Sequence, residues 1–308
     1  MKISQSRRTR PLAFLLLLIG WQAPAFAQPR AAKPARGGQT ENAVLWEVSG
    51  KGLSQPSYLF GTFHLLTSDY LKTLPKVAEK LGLSGAVAGE VVMDSTVMMK
   101  LLPASMMSGT TLDQLLKPEE YQLTADYFKE VSGMDLKMLN SFKPMALQAA
   151  IIQFEWNKLN PTPYKNGPAM DSYFQQEAKA QGKTVVGLET VEDQIRALFD
   201  QFSLERQAAM LVESVKEKEK SREEMLKMAQ CYQAQDLVCL QRMVYDPDNF
   251  RPEEMKTLLH DRNAAWMKKI PDLMQAKPTF IAVGAGHLVG EQGLISLLRQ
   301  RGYAVKPL

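Results

Sequence analysis

Histidine and cysteine are both scarce in this sequence, with three histidines and two cysteines among 308 residues. Two cysteines are too few for a zinc-type cysteine cluster. Long apolar runs are also missing. The unbroken stretch Leu12–Ile19 falls well short of the roughly 20 residues a membrane-spanning helix needs. Residues 1–27 carry no acidic residue, but they do hold Lys2, Arg7, Arg8 and Arg10. A basic head, a short apolar run and the small-x-small signal Ala25-Phe26-Ala27 together predict a secretory signal peptide cut after Ala27. Removing those four basic residues from the 37 leaves 33 against 33 acidic ones. The mature chain therefore has no basic excess, and nothing in its charge points to nucleic acid.

Export bears on the two cysteines. Cys231 and Cys239 lie eight residues apart in the mature part, and an oxidising compartment favours a bond between them. Two free structural thiols are the other outcome. Residues 28–42 are polar and rich in turn formers and read as a disordered tether. The domain proper is expected over 43–308, in the periplasm or secreted, with no permanent membrane anchor once the leader is cut.

Two of the three histidines occupy matching positions. Tyr58-Leu59-Phe60-Gly61-Thr62-Phe63-His64 and Phe280-Ile281-Ala282-Val283-Gly284-Ala285-Gly286-His287 are each an apolar run ending in Gly-x-x-His. Both read as buried strands that stop at a turn. In parallel sheets, ligands bind at the turns after the strands' carboxyl ends. Two such turns from opposite ends of the chain would face one pocket.

Two further apolar segments end on or carry a lone carboxylate. Ala86–Met93 predicts a strand holding Glu90, and Thr184–Glu189 predicts a strand ending at Glu189. An acid in an apolar strand is costly to bury unless it is paired or coordinated. Thr190 is placed to cap a helix over 191–201. Helices are further predicted over 74–81, 144–159, 171–181, 252–270 and 291–301, with more across 95–165 and a hairpin in 203–245. Strands near both ends and a large helical insertion between them predict an α/β fold with a mixed sheet. Met93, Met98, Met99, Met106 and Met107 form a cluster that suits a core, an adaptable groove or Cu(I). His260 lies among charged residues and is expected on the surface.

Two histidines and one carboxylate suit a transition metal and leave coordination positions open. His64, Glu90 and His287 are the candidate ligands. Glu90 or Glu189 would manage the proton of an attacking water. Arg262 would stabilise developing negative charge, or simply pair with a site acid. Two satisfied core histidines would explain the same pattern without any chemistry.

The opening Leu45-Trp46-Glu47-Val48-Ser49-Gly50, the first Gly-x-x-His stretch, Gly187-Leu188-Glu189-Thr190, Arg262-Asn263 and Val283–Gly290 together resemble TraB/GumN family proteins. That family is similar to the Tiki metal-dependent proteases of animals, and to erythromycin-esterase-like and haem-binding ChaN-like proteins. The resemblance spans about residues 43–308. It implies a Tiki/ChaN-like α/β fold and a divalent metal of the Mn, Co or Zn type on His64, Glu90 and His287. It further implies a metallopeptidase acting on a peptide or protein substrate. The alternatives are a haem- or metal-binding periplasmic protein without hydrolytic activity and a small-ester hydrolase.

Overall fold

The computed structural model describes residues 42–159, 162–247 and 250–308. The expected leader and tether therefore lie outside the described residues, apart from Asn42. Six strands form one mixed sheet: β1 (Leu45–Ser49), β2 (Ser57–Thr62), β3 (Ala86–Gly89), β4 (Thr184–Gly187), β5 (Thr279–Gly284) and β6 (Ala304–Pro307). Their order across the sheet is β4-β3-β5-β2-β1-β6. The first four in that order run parallel, and β1 is antiparallel to both β2 and β6. The predicted α/β class, with strands at both ends of the chain and a helical middle, is what the structure shows.

β2 and β5 are the centre of the sheet, and every residue of both is buried. Their continuous apolar character is what a doubly covered parallel strand requires. The helix Met170–Ala180 packs over β3, β4 and β5. Its Phe174 stands edge-on to Phe60 at 5.3 Å and tilts against Phe280 at 5.0 Å. Two smaller apolar cores lie among the middle helices. One gathers Val97, Leu101, Met145, Phe199 and Met255; the other gathers Phe128, Leu147, Ile151 and Leu211.

The register aligns the carboxyl ends of the four parallel strands. Thr62 pairs with Gly284, and Gly89 pairs with both Ala282 and Gly187. The residues that leave those ends are Phe63-His64, Ala285-Gly286-His287, Glu90 and Leu188-Glu189, so four strands deliver them to one rim. Glycine is needed at position 61, because a Cβ there would lie 3.0 Å from the Ala285 backbone.

The structure departs from the sequence pattern in several places. β4 ends at Gly187, so Glu189, predicted as the end of that strand, lies two residues beyond it. The helix predicted over 191–201 is α-helical over Val191–Ile195 and passes into a π-turn at Arg196–Asp200. β3 ends at Gly89, short of the predicted Met93, so Glu90 is the first residue beyond the strand rather than inside it. The helix predicted over 252–270 is interrupted by a π-turn at Lys256–His260, which resumes as Asp261–Trp266. Such turns insert a residue and often sit at functional sites; this one lies just before Arg262. His260 is half-buried rather than exposed. Its ring stacks on Tyr245, and Nε2 lies 3.2 Å from the Tyr245 hydroxyl.

Cys231 and Cys239 are disulfide-bonded across the corner between the helices Lys218–Gln233 and Leu237–Val244. In the methionine cluster, Met107 is buried with Leu112 and Phe128, whereas Met98 and Met99 are 52% and 71% exposed on the helix Ser95–Ala104.

Candidate functional site

Glu90 is held from three sides. Its Oε1 accepts the Gly284 amide at 2.9 Å, and its Oε2 accepts Arg262 Nη2 at 2.6 Å and Gln194 Nε2 at 3.2 Å. Burial pushes its carboxyl up, but Arg262 and the two histidines outweigh that, and the net shift is downward. Glu90 is a fixed carboxylate.

Arg262 gathers the acids. Its Nε donates to Glu189 Oε2 at 3.0 Å and its Nη2 to Glu189 Oε1 at 2.6 Å. Nη1 donates to the Leu258 carbonyl and to His287 Nε2, both at 3.1 Å. The guanidinium also lies 4.9 Å over the Trp266 ring. A guanidinium has five N–H donors, and all five are used here. The expected part as oxyanion donor therefore has no N–H left in this arrangement, while the pairing with site acids is present. Glu189 is equally occupied, since its Oε2 also accepts Trp266 Nε1 at 3.1 Å. Burial raises the Glu189 carboxyl above its ordinary value, and Arg262 only partly offsets this.

The two histidines are held differently. His64 Nδ1 lies 2.9 Å from Asp171 Oδ2, and both side chains are 22% exposed. Asp171 Oδ1 accepts the Thr62 hydroxyl at 2.9 Å. His64 Nε2 is buried and has no hydrogen-bond partner. His287 is deeply buried, with its ring 4.4 Å from Trp266 and its Nδ1 2.7 Å from Asn263 Oδ1. Burial and the neighbouring Arg262 push the His287 pKa down to about 3. For His64, burial lowers the pKa, but the Asp171 charge and hydrogen bond more than reverse this.

These shifts set a pH dependence. The unfolded His287 ring takes a proton below 6.5, whereas the folded ring resists down to about 3. Stability is therefore lost as pH falls through that window. The lowered carboxyls of Glu90 and Asp171 add to the acid loss, and the raised Glu189 opposes it. His64 acts on the other flank, because its raised value means stability is lost as pH rises above 6.5. The urea midpoint should peak near neutrality and fall more steeply on the acid side. A flat profile between pH 4 and 7 would contradict this account.

All five residues expected from sequence meet at this rim. The sequence reading missed Asp171, Asn263, Gln194 and Trp266. Asp171 lies 107 residues from His64 and looks in sequence like an ordinary first-turn helix acid. Asn263 carries a weak signal as the neighbour of Arg262.

The chain matches the TraB/PrgY/gumN family over residues 44–307. It belongs to this family. Among curated proteins it is 24% identical to "Metalloprotease TIKI homolog" of Amphimedon queenslandica, covering 87% of this chain and 62% of that protein. It is 23% identical to "Metalloprotease TIKI2" and 25% identical to "Metalloprotease TIKI1", both of Danio rerio. Each of those alignments covers 86% of this chain, with 61% and 63% of the relative. The chain thus spans about three-fifths of the length of these relatives. No solved structure matches it. All three relatives are named as metalloproteases.

Among the described residues, no three histidine, cysteine or carboxylate side chains already converge as a ligand set. The donors nonetheless fit a divalent ion in chemistry and charge. A Cβ added at Gly284 would lie 3.3 Å from His64 Nε2, 3.4 Å from Glu90 Oε1 and 3.8 Å from His287 Cδ2. All three candidate ligands thus border the space over one glycine, and His64 brings an unshared nitrogen. Two carboxylates, Glu90 and Glu189, share the single Arg262 guanidinium, an excess of negative charge that a cation would balance. His287 Nε2 is the exception, since Arg262 Nη1 already occupies its lone pair.

Proposed function

We propose that this chain is an exported metal-dependent hydrolase that cleaves peptide bonds, with residues 43–308 forming one domain. The observation that carries the reading is the unpartnered, buried Nε2 of His64 beside Glu90 Oε1 over Gly284. His64 and Glu90 would hold the ion, with His287 as third ligand once Arg262 releases its nitrogen. Mn²⁺, Co²⁺ and Zn²⁺ all suit this donor set. When bound, the ion supplies Lewis acidity toward a carbonyl oxygen.

The protein's own groups supply the rest. The Gly284 amide and Gln194 hold Glu90 ionised and oriented. Glu189 and Trp266 fix Arg262, which keeps two carboxylates close together in a buried site. The Tyr232 hydroxyl donates to the Gly61 carbonyl at 2.7 Å, and its ring stacks on Phe63 at 5.0 Å, steadying the turn that carries His64. The disulfide beside Tyr232 agrees with export into an oxidising compartment. No helix among the described residues is long and apolar enough to cross a membrane.

The test is metal content of the purified mature protein, followed by cleavage of a peptide and ester panel with and without added metal. About one ion per chain, lost in His64→Ala, with metal-dependent peptide cleavage, supports the reading. No uptake of Mn²⁺, Co²⁺ or Zn²⁺ overturns it. Ester cleavage alone moves the assignment to a small-ester hydrolase, and a Soret band on haem titration moves it to a haem carrier.

Gly284→Ala is a sharper variant. Its one tight contact, 3.3 Å to His64 Nε2, is with the end of a partly exposed side chain that can give by a few tenths of an ångström, so the fold should tolerate the methyl group. The methyl group fills the space that three candidate ligands share. Metal uptake and hydrolysis should both fall sharply while the melting temperature barely moves. Undiminished uptake would place the ion elsewhere.

A further inference from the structure

We propose that Asp171 is the positioning residue for His64. Its carboxylate holds the neutral ring with the proton on Nδ1, which leaves the Nε2 lone pair turned toward Glu90 and Gly284. The inference rests on the hydrolase reading for its purpose, though not for its test.

A neutral imidazole has one N–H and one lone pair. A carboxylate only accepts, so Asp171 Oδ2, 2.9 Å from Nδ1, calls the proton to that nitrogen. The other carboxylate oxygen is pinned by the Thr62 hydroxyl at 2.9 Å. Thr62 is the last residue of β2 and lies opposite Gly284 in the register. The sheet that carries Gly284 therefore also sets the plane of the acid that orients His64. Asp171 is in the first turn of the helix Met170–Ala180, where the helix end favours a negative charge.

His287 provides the comparison. The Asn263 amide nitrogen donates to the His287 carbonyl at 3.2 Å and to the Gln292 carbonyl at 2.8 Å. This fixes the amide orientation, so Oδ1 must accept from His287 Nδ1 at 2.7 Å. His287 Nε2 is then the acceptor that Arg262 Nη1 meets at 3.1 Å. Both rings thus carry the proton on Nδ1, but they have different holders. The histidine beside the guanidinium has a neutral amide. The histidine with the unshared nitrogen has a carboxylate, which makes that nitrogen the stronger donor.

The experiment uses the full mature chain, free of metal and ¹⁵N-labelled, at an alkaline pH where the ring is uncharged. Long-range ¹H–¹⁵N correlation reads which His64 nitrogen carries the proton. Wild type should show Nε2 unprotonated. Asp171→Asn offers an amide that can turn its N–H toward Nδ1, so the Nε2–H form should appear. Zn²⁺ binding by calorimetry should weaken about 10–100-fold in that variant, with the melt retained. Thr62→Val should keep the wild-type tautomer and bind Zn²⁺ with intermediate strength. Nε2–H in wild type, or an unchanged tautomer in a folded Asp171→Asn, overturns the proposal. If Asp171→Asn does not fold, the wild-type spectrum still decides the tautomer, and Thr62→Val reads the coupling to Zn²⁺. If wild type shows the Nδ1–H form yet takes up no Zn²⁺, the metal reading fails while the hold of Asp171 on His64 stands.

Discussion

Arg262→Met should destabilise the protein by about 3–5 kcal/mol, the usual result of removing one partner from a buried ion pair. In a chain of this size that is a fall of about 10 °C in melting temperature. Arg262, Glu90 and Glu189 are all buried, and among the described residues the guanidinium is the one cation that touches both acids. Methionine keeps most of the bulk against Trp266 but leaves two carboxylates facing each other. The pH dependence identifies the cause. Without Arg262 both carboxyls titrate higher in the folded than in the unfolded chain, so the deficit is largest above their ordinary value and shrinks as pH falls through it. A second change, Glu189→Leu, should recover part of the loss, because it removes one of the stranded charges. Should Arg262→Met melt within about 2–4 °C of wild type, water must reach Glu90 and Glu189 and relieve the stranded charge.

The parts of this architecture visible in sequence were those with a local signature. Phe280–Val283 and Leu59–Phe60 are apolar on both faces, as central parallel strands must be, and each runs into a glycine, Gly61 being demanded by the close approach of the Ala285 backbone. Thr190 announced its helix through a capping box completed by Asp193. The five charged or imidazole residues expected at the site share the same origin, because each follows an apolar strand or stands beside a motif. What lay out of reach depends on tertiary packing. The early end of β3 follows from Glu90, whose carboxylate turns to take the Gly284 amide 194 residues away. Asp171 is an acid in a helix first turn, a place so ordinary that nothing but the fold links it to His64. The π-turn at Lys256–His260 has no sequence mark, yet it ends just before Arg262, whose Nη1 reaches the Leu258 carbonyl within it. Arg262's part changes for the same reason. Sequence shows a cation near acids, whereas only the fold shows that its five donors are spent.

His64→Ala should reduce hydrolysis to background and abolish metal uptake while leaving the thermal melt nearly unchanged. The His64 side chain is partly exposed, makes its one polar contact with Asp171, and leaves Nε2 unbonded. Removing it therefore strands little: Asp171 keeps the Thr62 hydroxyl and has access to water. The same substitution at His287 is a poor test. That ring packs on Trp266 and is bonded at both nitrogens, to Asn263 and Arg262. Truncating it opens a cavity and leaves buried polar groups unmet, which costs stability whatever the residue does in catalysis. Lost activity in His287→Ala would then report unfolding as readily as chemistry. The contrast between the two histidines is the informative result. A destabilised His287→Ala beside a stable, inactive His64→Ala fits one histidine built into the core and another offering its nitrogen to a ligand. Equal destabilisation of both would mean that the two Gly-x-x-His turns serve the fold alone, and the hydrolase reading would fall with His64.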